Sequence, residues 1–306
     1  MCITGGYMSF ADRMKTIVVA TDLKGTSEAA LEYARKLAGA YGARIVLVHG
    51  IDPLEYAAVE SVPGRILQRM PEEARAVLDQ MAADLIREGI HSHSEVRQGA
   101  VVDMLLDVAN LREAGLIVIG TKGSQGAGPV AVGTMAEQLV RHSTCPVLAV
   151  AADWNAGENR PVPGGPVMLA MDHNDTSEAA IEAASSLAAT FKRTLIVVHA
   201  RTSAEATAFL NPRATTLAEF GIKESGEFPV RCIVKDGPPE DAIPRAVLQY
   251  GPSILVTGVK RKSDSPGPHG TAFALLASSR APVLCIPAGG ISGMNKPERQ
   301  VAVGIG

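Results

Sequence analysis

Gly120-Thr121-Lys122-Gly123, then nine residues, then Gly133-Thr134, is the stretch of this chain whose residue types and spacing suit chemistry. Glycines let a backbone turn through positive φ and approach a ligand closely, and free N–H groups at a helix start point toward negative charge. A short β-branched run, Leu116-Ile117-Val118-Ile119, precedes the loop, and a helical pattern with Met135, Leu139 and Val140 inward follows it. Strand, glycine loop and helix start together are the architecture of a phosphate site, to which Thr134 adds a hydroxyl; a glycine-rich turn with no ligand is the other reading of the spacing. A Walker A reading fails because no Gly-Lys-Ser/Thr follows, and Gly123, Gly126 and Gly128 do not form a dinucleotide fingerprint.

Little else in the chain suggests chemistry. There is no GxSxG elbow, no HExxH, and no Cys/His pair with supporting spacing, so no catalytic residue is assigned. Cys2, Cys145, Cys232 and Cys285 are widely separated and read as buried thiols. His49 and His199 fall at equivalent strand ends, which in a repeated fold means repeated packing.

The elements that must position the loop follow from periodicity. Composition is that of a globular chain: 306 residues, 46% hydrophobic, 20% charged, net charge −3. With 4% aromatic residues the cores must be Val, Ile, Leu and Ala, as suits helices packed on parallel strands. Neither a basic field nor a stacking set of aromatics is present, which argues against nucleic acid as a partner. No apolar run is long enough to span a bilayer, and residues 1–13 lack the features of a signal peptide. The expectation is a cytoplasmic protein without a membrane partner.

The pattern predicts strands at 16–21, 44–49, 92–97, 116–119 and 146–151. Helices are expected after Thr26 or Ser27 as cap, from about Pro71 with Ala74, Val77, Leu78, Met81 and Leu85 inward, and over 101–111. Alternating strands and helices specify a doubly wound α/β domain with ligands at the carboxyl ends of the strands. Asp22, Gly50, Gly99 and Gly120 stand at four such ends.

After a Pro-, Gly- and Asn-rich stretch the pattern restarts. Val167 to Asp172 and Thr176-Ser177-Glu178-Ala179-Ala180 repeat Ile17 to Asp22 and Thr26-Ser27-Glu28-Ala29-Ala30; Gly237, Ile254 to Gly258 and Pro282-Val283-Leu284 answer Gly99, Ile117 to Gly120 and Pro146-Val147-Leu148. The division expected is an extension at 1–13, domains at 14–152 and 166–288, a linker at 153–165 and a tail at 289–306. The fold expected is two tandem doubly wound α/β domains, each a five-stranded, mainly parallel sheet with helices on both faces.

These residues resemble the universal stress protein family, specifically a tandem member. Gly120, Gly123, Gly133 and Thr134 are similar to the pattern of its ATP-binding type. The resemblance implies ATP as cofactor, and a divalent ion such as magnesium is one that the Asp22 carboxylate could hold on its phosphates. Asp22 would lie near ribose or metal, Gly50 at the adenine through its backbone, and the loop glycines with Thr134 on the phosphates. The nucleotide-binding candidates are then Ala20, Thr21, Asp22, Gly50, Gly99, Gly120, Thr121, Lys122, Gly123, Gly133 and Thr134. Gly50 departs from the apolar residue usual in the family. In the second domain Arg261 replaces the second loop glycine and the spacing is one residue short, so the same pose is not expected there. The resemblance further points to an intramolecular pseudo-dimer in which 146–151 and 282–286 lie near each other; the competing arrangements exchange the final strands between chains or leave each domain independent, and a homodimer of the whole chain stays open. Three functions fit: a nucleotide-binding regulatory protein in the stress response, a slow ATPase, and a ligand-free interaction scaffold.

Overall fold

The structure is a computed structural model and describes residues 9–23, 25–52, 64–121, 134–154, 164–171, 178–201, 228–259 and 270–287, side chains 26, 64–70 and 134 excepted. In the first half α1 (Phe10–Arg13) leads into β1 (Thr16–Ala20), α2 (Glu28–Tyr41), β2 (Arg44–Ile51), α3 (Gly64–Arg87), β3 (Ser92–Gln98), α4 (Val101–Leu111), β4 (Leu116–Thr121), α5 (Thr134–His142) and β5 (Val147–Ala151). The second half runs β6 (Val167–Met171), α6 (Glu178–Phe191), β7 (Leu195–Arg201), β8 (Val230–Asp236), α7 (Pro239–Tyr250), β9 (Ile254–Val259), α8 (Thr271–Ser278) and β10 (Val283–Pro287).

The apolar runs become parallel strands because alternate residues are buried against helices on opposite faces. Ile17 and Val19 join one core with α2, α3 and α6. Val18 joins the other with α4, α5, α7 and α8. Each half has five parallel strands, and the antiparallel pair β5–β10 fuses them into one ten-stranded sheet ordered β3-β2-β1-β4-β5-β10-β9-β6-β7-β8. In each half the strand order reverses beside the first strand, at β1/β4 and at β6/β9.

Three local expectations change. The helix expected from Pro71 begins at Gly64 and carries Pro71 inside it. It buries the stripe Ala74, Leu78, Ala82 and Leu85, leaving Val77, about a quarter turn off that stripe, 50% exposed. Cys145 and Cys285 are buried, and burial raises their thiols to about 11 and about 12. Cys232 is only half-buried, because it sits on the edge strand β8, and Cys2 lies outside the described residues.

The amino-terminal turn is part of the packed body. Ser9 caps α1, Phe10 and Met14 are buried, and the Phe10 N–H donates to the Glu182 carboxylate of α6 at 2.5 Å.

Candidate functional site

The site is built at the carboxyl end of β1. Thr21 extends the β1 ladder by donating its N–H to the Val48 carbonyl at 2.9 Å. The chain then turns through Leu23, a non-glycine residue with φ 56°. That turn is held by a relay. The Leu23 N–H donates to Thr21 Oγ1 at 3.0 Å, and Ser27 Oγ donates to Asp22 Oδ1 at 2.9 Å. The Thr21 and Ser27 hydroxyls lie 2.9 Å apart. Ser27 spends its one proton on the carboxylate, so Thr21 is the donor between them. Such a chain polarises cooperatively and fixes the Asp22 carboxylate at the surface end of the turn. Ser27 therefore does not cap α2 with its side chain, as expected from sequence; its hydroxyl orients Asp22 instead.

Register brings the candidates level. β1 pairs with β2 up to Ala20↔Val48 and with β4 through Val19↔Val118. Continued to residue 22, the same registers set Asp22 beside Gly50 on one side and Thr121 on the other. Strand spacing of about 4.8 Å puts these three positions across about 10 Å, at the point where the sheet order reverses.

The backbone of Gly50 has a definite direction. Even residues of β2 bond toward β1, as in Arg44 N to Lys15 O and Thr21 N to Val48 O. Odd residues bond toward β3, as in Ile45 N to His91 O and Gly99 N to Ile51 O. Gly50 is even, so its peptide groups face the space beyond the end of β1. Gly99 has φ +132°, which a side-chain residue reaches only with strain.

His49 lies on the opposite face of β2 from the α5 core, because its odd neighbours Ile45 and Leu47 pack with α2 and α3. Its Nδ1 contacts the Thr21 carbonyl at 2.8 Å, and His199 repeats this contact with the Met171 carbonyl at 3.1 Å. A carbonyl only accepts, so each ring carries its proton on Nδ1. Both histidines tie the second strand of their half to the end of the first.

Ala20, Thr21, Asp22, Gly50, Gly99, Gly120 and Thr121 thus cluster at adjoining strand ends. Thr134 starts α5. Lys122, Gly123 and Gly133 lie outside the described residues. The equivalent positions of the second half are less polar. Val259 stands where Thr121 does and Ala200 where Gly50 does. Among the described residues no group of three His, Cys, Asp or Glu side chains is arranged to hold a metal ion, and no helix is long and apolar enough to cross a membrane.

A sequence profile described as the universal stress protein family matches residues 14–151 and again 165–287. The chain belongs to the universal stress protein family. It carries two universal stress protein units in tandem, and its α/β architecture agrees with that of solved family members. A universal stress protein of Archaeoglobus fulgidus superposes with TM-score 0.68 at 18% identity, over 90% of this chain and 99% of its own. A universal stress protein of Mycobacterium tuberculosis is 23% identical over 78% of this chain and 85% of its own length. One from Mycolicibacterium smegmatis is 28% identical over 60% of this chain, which spans 63% of that protein's length.

Sequence reading missed two residues here, Ser27 as the partner of Asp22 and Met104. A Cβ built on Gly50 would stand 2.3 Å from Met104 Cε and 3.1 Å from Val101 Cγ2. The signal was present in the repeats: the pair Gly50 and Met104 in the first half is Ala200 and Ala242 in the second.

Proposed function

We propose that this universal stress protein is a cytoplasmic regulatory protein of the stress response that binds ATP in its first half. The observation that carries this reading is the order of β2, β1 and β4 at the switch point, whose registers, ending at Ala20↔Val48 and Val19↔Val118, lead toward Asp22, Gly50 and Thr121, where open α/β sheets take their ligands. The donor set fits a nucleotide. A fixed carboxylate suits ribose hydroxyls or a phosphate-bound magnesium ion, and a backbone N–H and C=O suit the edge of a base. The loop of Gly120, Gly123, Gly133 and Thr134 would supply N–H groups to the phosphates. The second half, with Val259 and Ala200 in place of Thr121 and Gly50 and with Arg261 in its loop, does not take the nucleotide in that pose.

Calorimetry tests the reading: one ATP site per chain is expected, and two equal sites or none overturn it. Gly123→Val and Gly133→Val should each weaken ATP binding at least tenfold while the circular dichroism spectrum stays native, because the loop loses close approach and the strand core does not. Turnover is expected to be absent or slow. His49 is engaged at the Thr21 carbonyl on the other face of β2. Rapid steady-state hydrolysis abolished by Asp22→Asn would promote the ATPase reading instead.

A further inference from the structure

Two halves of one ancestry, one expected to bind a nucleotide and the other not, supply an internal comparison at the end of the second strand. In the first half Gly50 presents no side chain, and Met104 of α4 fills the space its Cβ would take, Cε standing 2.3 Å from that point. Met104 Cγ also stands 3.9 Å from the place of a Cβ on Gly99, so one side chain lies under both glycines. In the second half strand and helix each contribute a methyl group, Ala200 and Ala242, both buried. Apolar volume has moved from the strand to the helix, and it has moved in the half whose loop is intact.

We infer that Met104 is the specificity-determining residue of the first half's base site, its thioether forming the apolar floor on which a purine base rests while the Gly50 backbone meets the base edge. This rests on the nucleotide reading above. Gly50 turns its peptide groups toward the space beyond β1, and on its α4 face the atom nearest the place of a Cβ is the Met104 methyl. Met104 is only 7% exposed, so it forms a floor and leaves the mouth of the crevice to its neighbours. A thioether is polarisable and adaptable, and its contact with an aromatic ring is favourable. Recruiting this group from α4 compensates for the apolar side chain that residue 50 lacks.

The experiment uses the full chain and two probes, ATP and inorganic tripolyphosphate, the second carrying phosphates but no base. Met104→Ala should weaken ATP about tenfold and leave tripolyphosphate within twofold of wild type, and Met104→Leu, close in volume, should weaken ATP about threefold. Adding Gly50→Val to Met104→Ala returns apolar bulk to the strand and should recover most of the lost affinity. ATP binding unchanged in both single variants, or tripolyphosphate weakening in parallel with ATP, overturns the assignment of Met104 alone. A wild-type chain that binds no ATP overturns the nucleotide reading and this inference with it.

Discussion

At the scale of single residues, the candidate site depends on hydroxyls more than on charges. Asp22 is useful only if its carboxylate is aimed, and the Leu23–Thr21–Ser27 relay aims it. Ser27→Ala removes the donor nearest the carboxylate and leaves the Thr21 hydroxyl to find another acceptor. The expected result is a three- to tenfold loss of ATP affinity, the indirect cost of a carboxylate left unaimed, about 1 kcal/mol, with thermal stability lowered by only a few degrees. Titration of ATP into the variant beside a melting curve separates the two effects. Affinity unchanged by Ser27→Ala would mean that Asp22 needs no orientation, and the ribose role would fall with it.

At the scale of elements, the edge strand β3 is tied to α4 by a carboxylate between two guanidinium groups. Glu95 is buried on β3; Arg112, just past α4, meets it at 2.6 Å and Arg97 at 2.8 Å. Burial raises its pKa, but the hydrogen bonds and charges of Arg97 and Arg112 outweigh burial and hold it below the ordinary 4.5. A folded-state pKa below the unfolded value contributes stability that is present above about 4.5 and is lost as pH falls through the folded value. Glu95→Gln should therefore lower the urea midpoint at pH 7 and narrow its difference from wild type as pH drops below 4.5. Equal pH slopes for the two proteins from 7 to 3 would refute the tie. Elements of this kind were legible in the sequence where the signal is local. The runs at Ile45 to Val48 and Leu116 to Ile119 are strands, and the spacing over Val101–Leu111 is a helix, because burial on a sheet imposes those patterns directly. Contacts across the sheet were not legible. Nothing near Gly50 in sequence announces Met104, and Ser27 carries the ordinary signature of a cap while its hydroxyl turns back to a residue that sequence reading had assigned to the ligand. The start of α3 was misplaced for a related reason: Pro71 reads as a helix boundary, and the long apolar stripe packed beneath β2 and β3 tolerates it inside.

At the scale of the whole molecule, the two halves share their interior. One hydrophobic core runs from Phe10 and Tyr33 through Leu148 to Leu187 and Leu284, so neither half can unfold without exposing the other. Tyr33 of α2 donates its phenol to the Ser253 carbonyl at 3.2 Å, and Trp154 lies against its ring at 5.4 Å between centroids. On the opposite face Arg141 of α5 sits 5.0 Å over the Phe273 ring of α8. Tyr33→Phe strips a donor from a carbonyl in the other half and should lower stability by about 1–2 kcal/mol, seen as a fall of about 2–3 °C in a single transition. The junction itself has a definite register: Val147↔Cys285, Leu148↔Leu284 and Ala149↔Val283. Matching Pro146 with Pro282 makes residues 147, 148 and 149 equivalent to 283, 284 and 285, so the pseudo-two-fold axis passes between Leu148 and Leu284. Ala149 and Val283 are then direct cross-strand partners with Cα atoms about 4.5–5.5 Å apart, within reach of a disulfide. In a chain carrying Ala149→Cys and Val283→Cys, oxidation during refolding should give a crosslinked monomer, identified by a single linked peptide pair. Cys145 and Cys285 are poor competitors, since burial keeps their thiols protonated near neutral pH. If the final strands were exchanged between chains instead, the same oxidation would yield covalent dimers at every protein concentration, and the shared core would belong to two molecules.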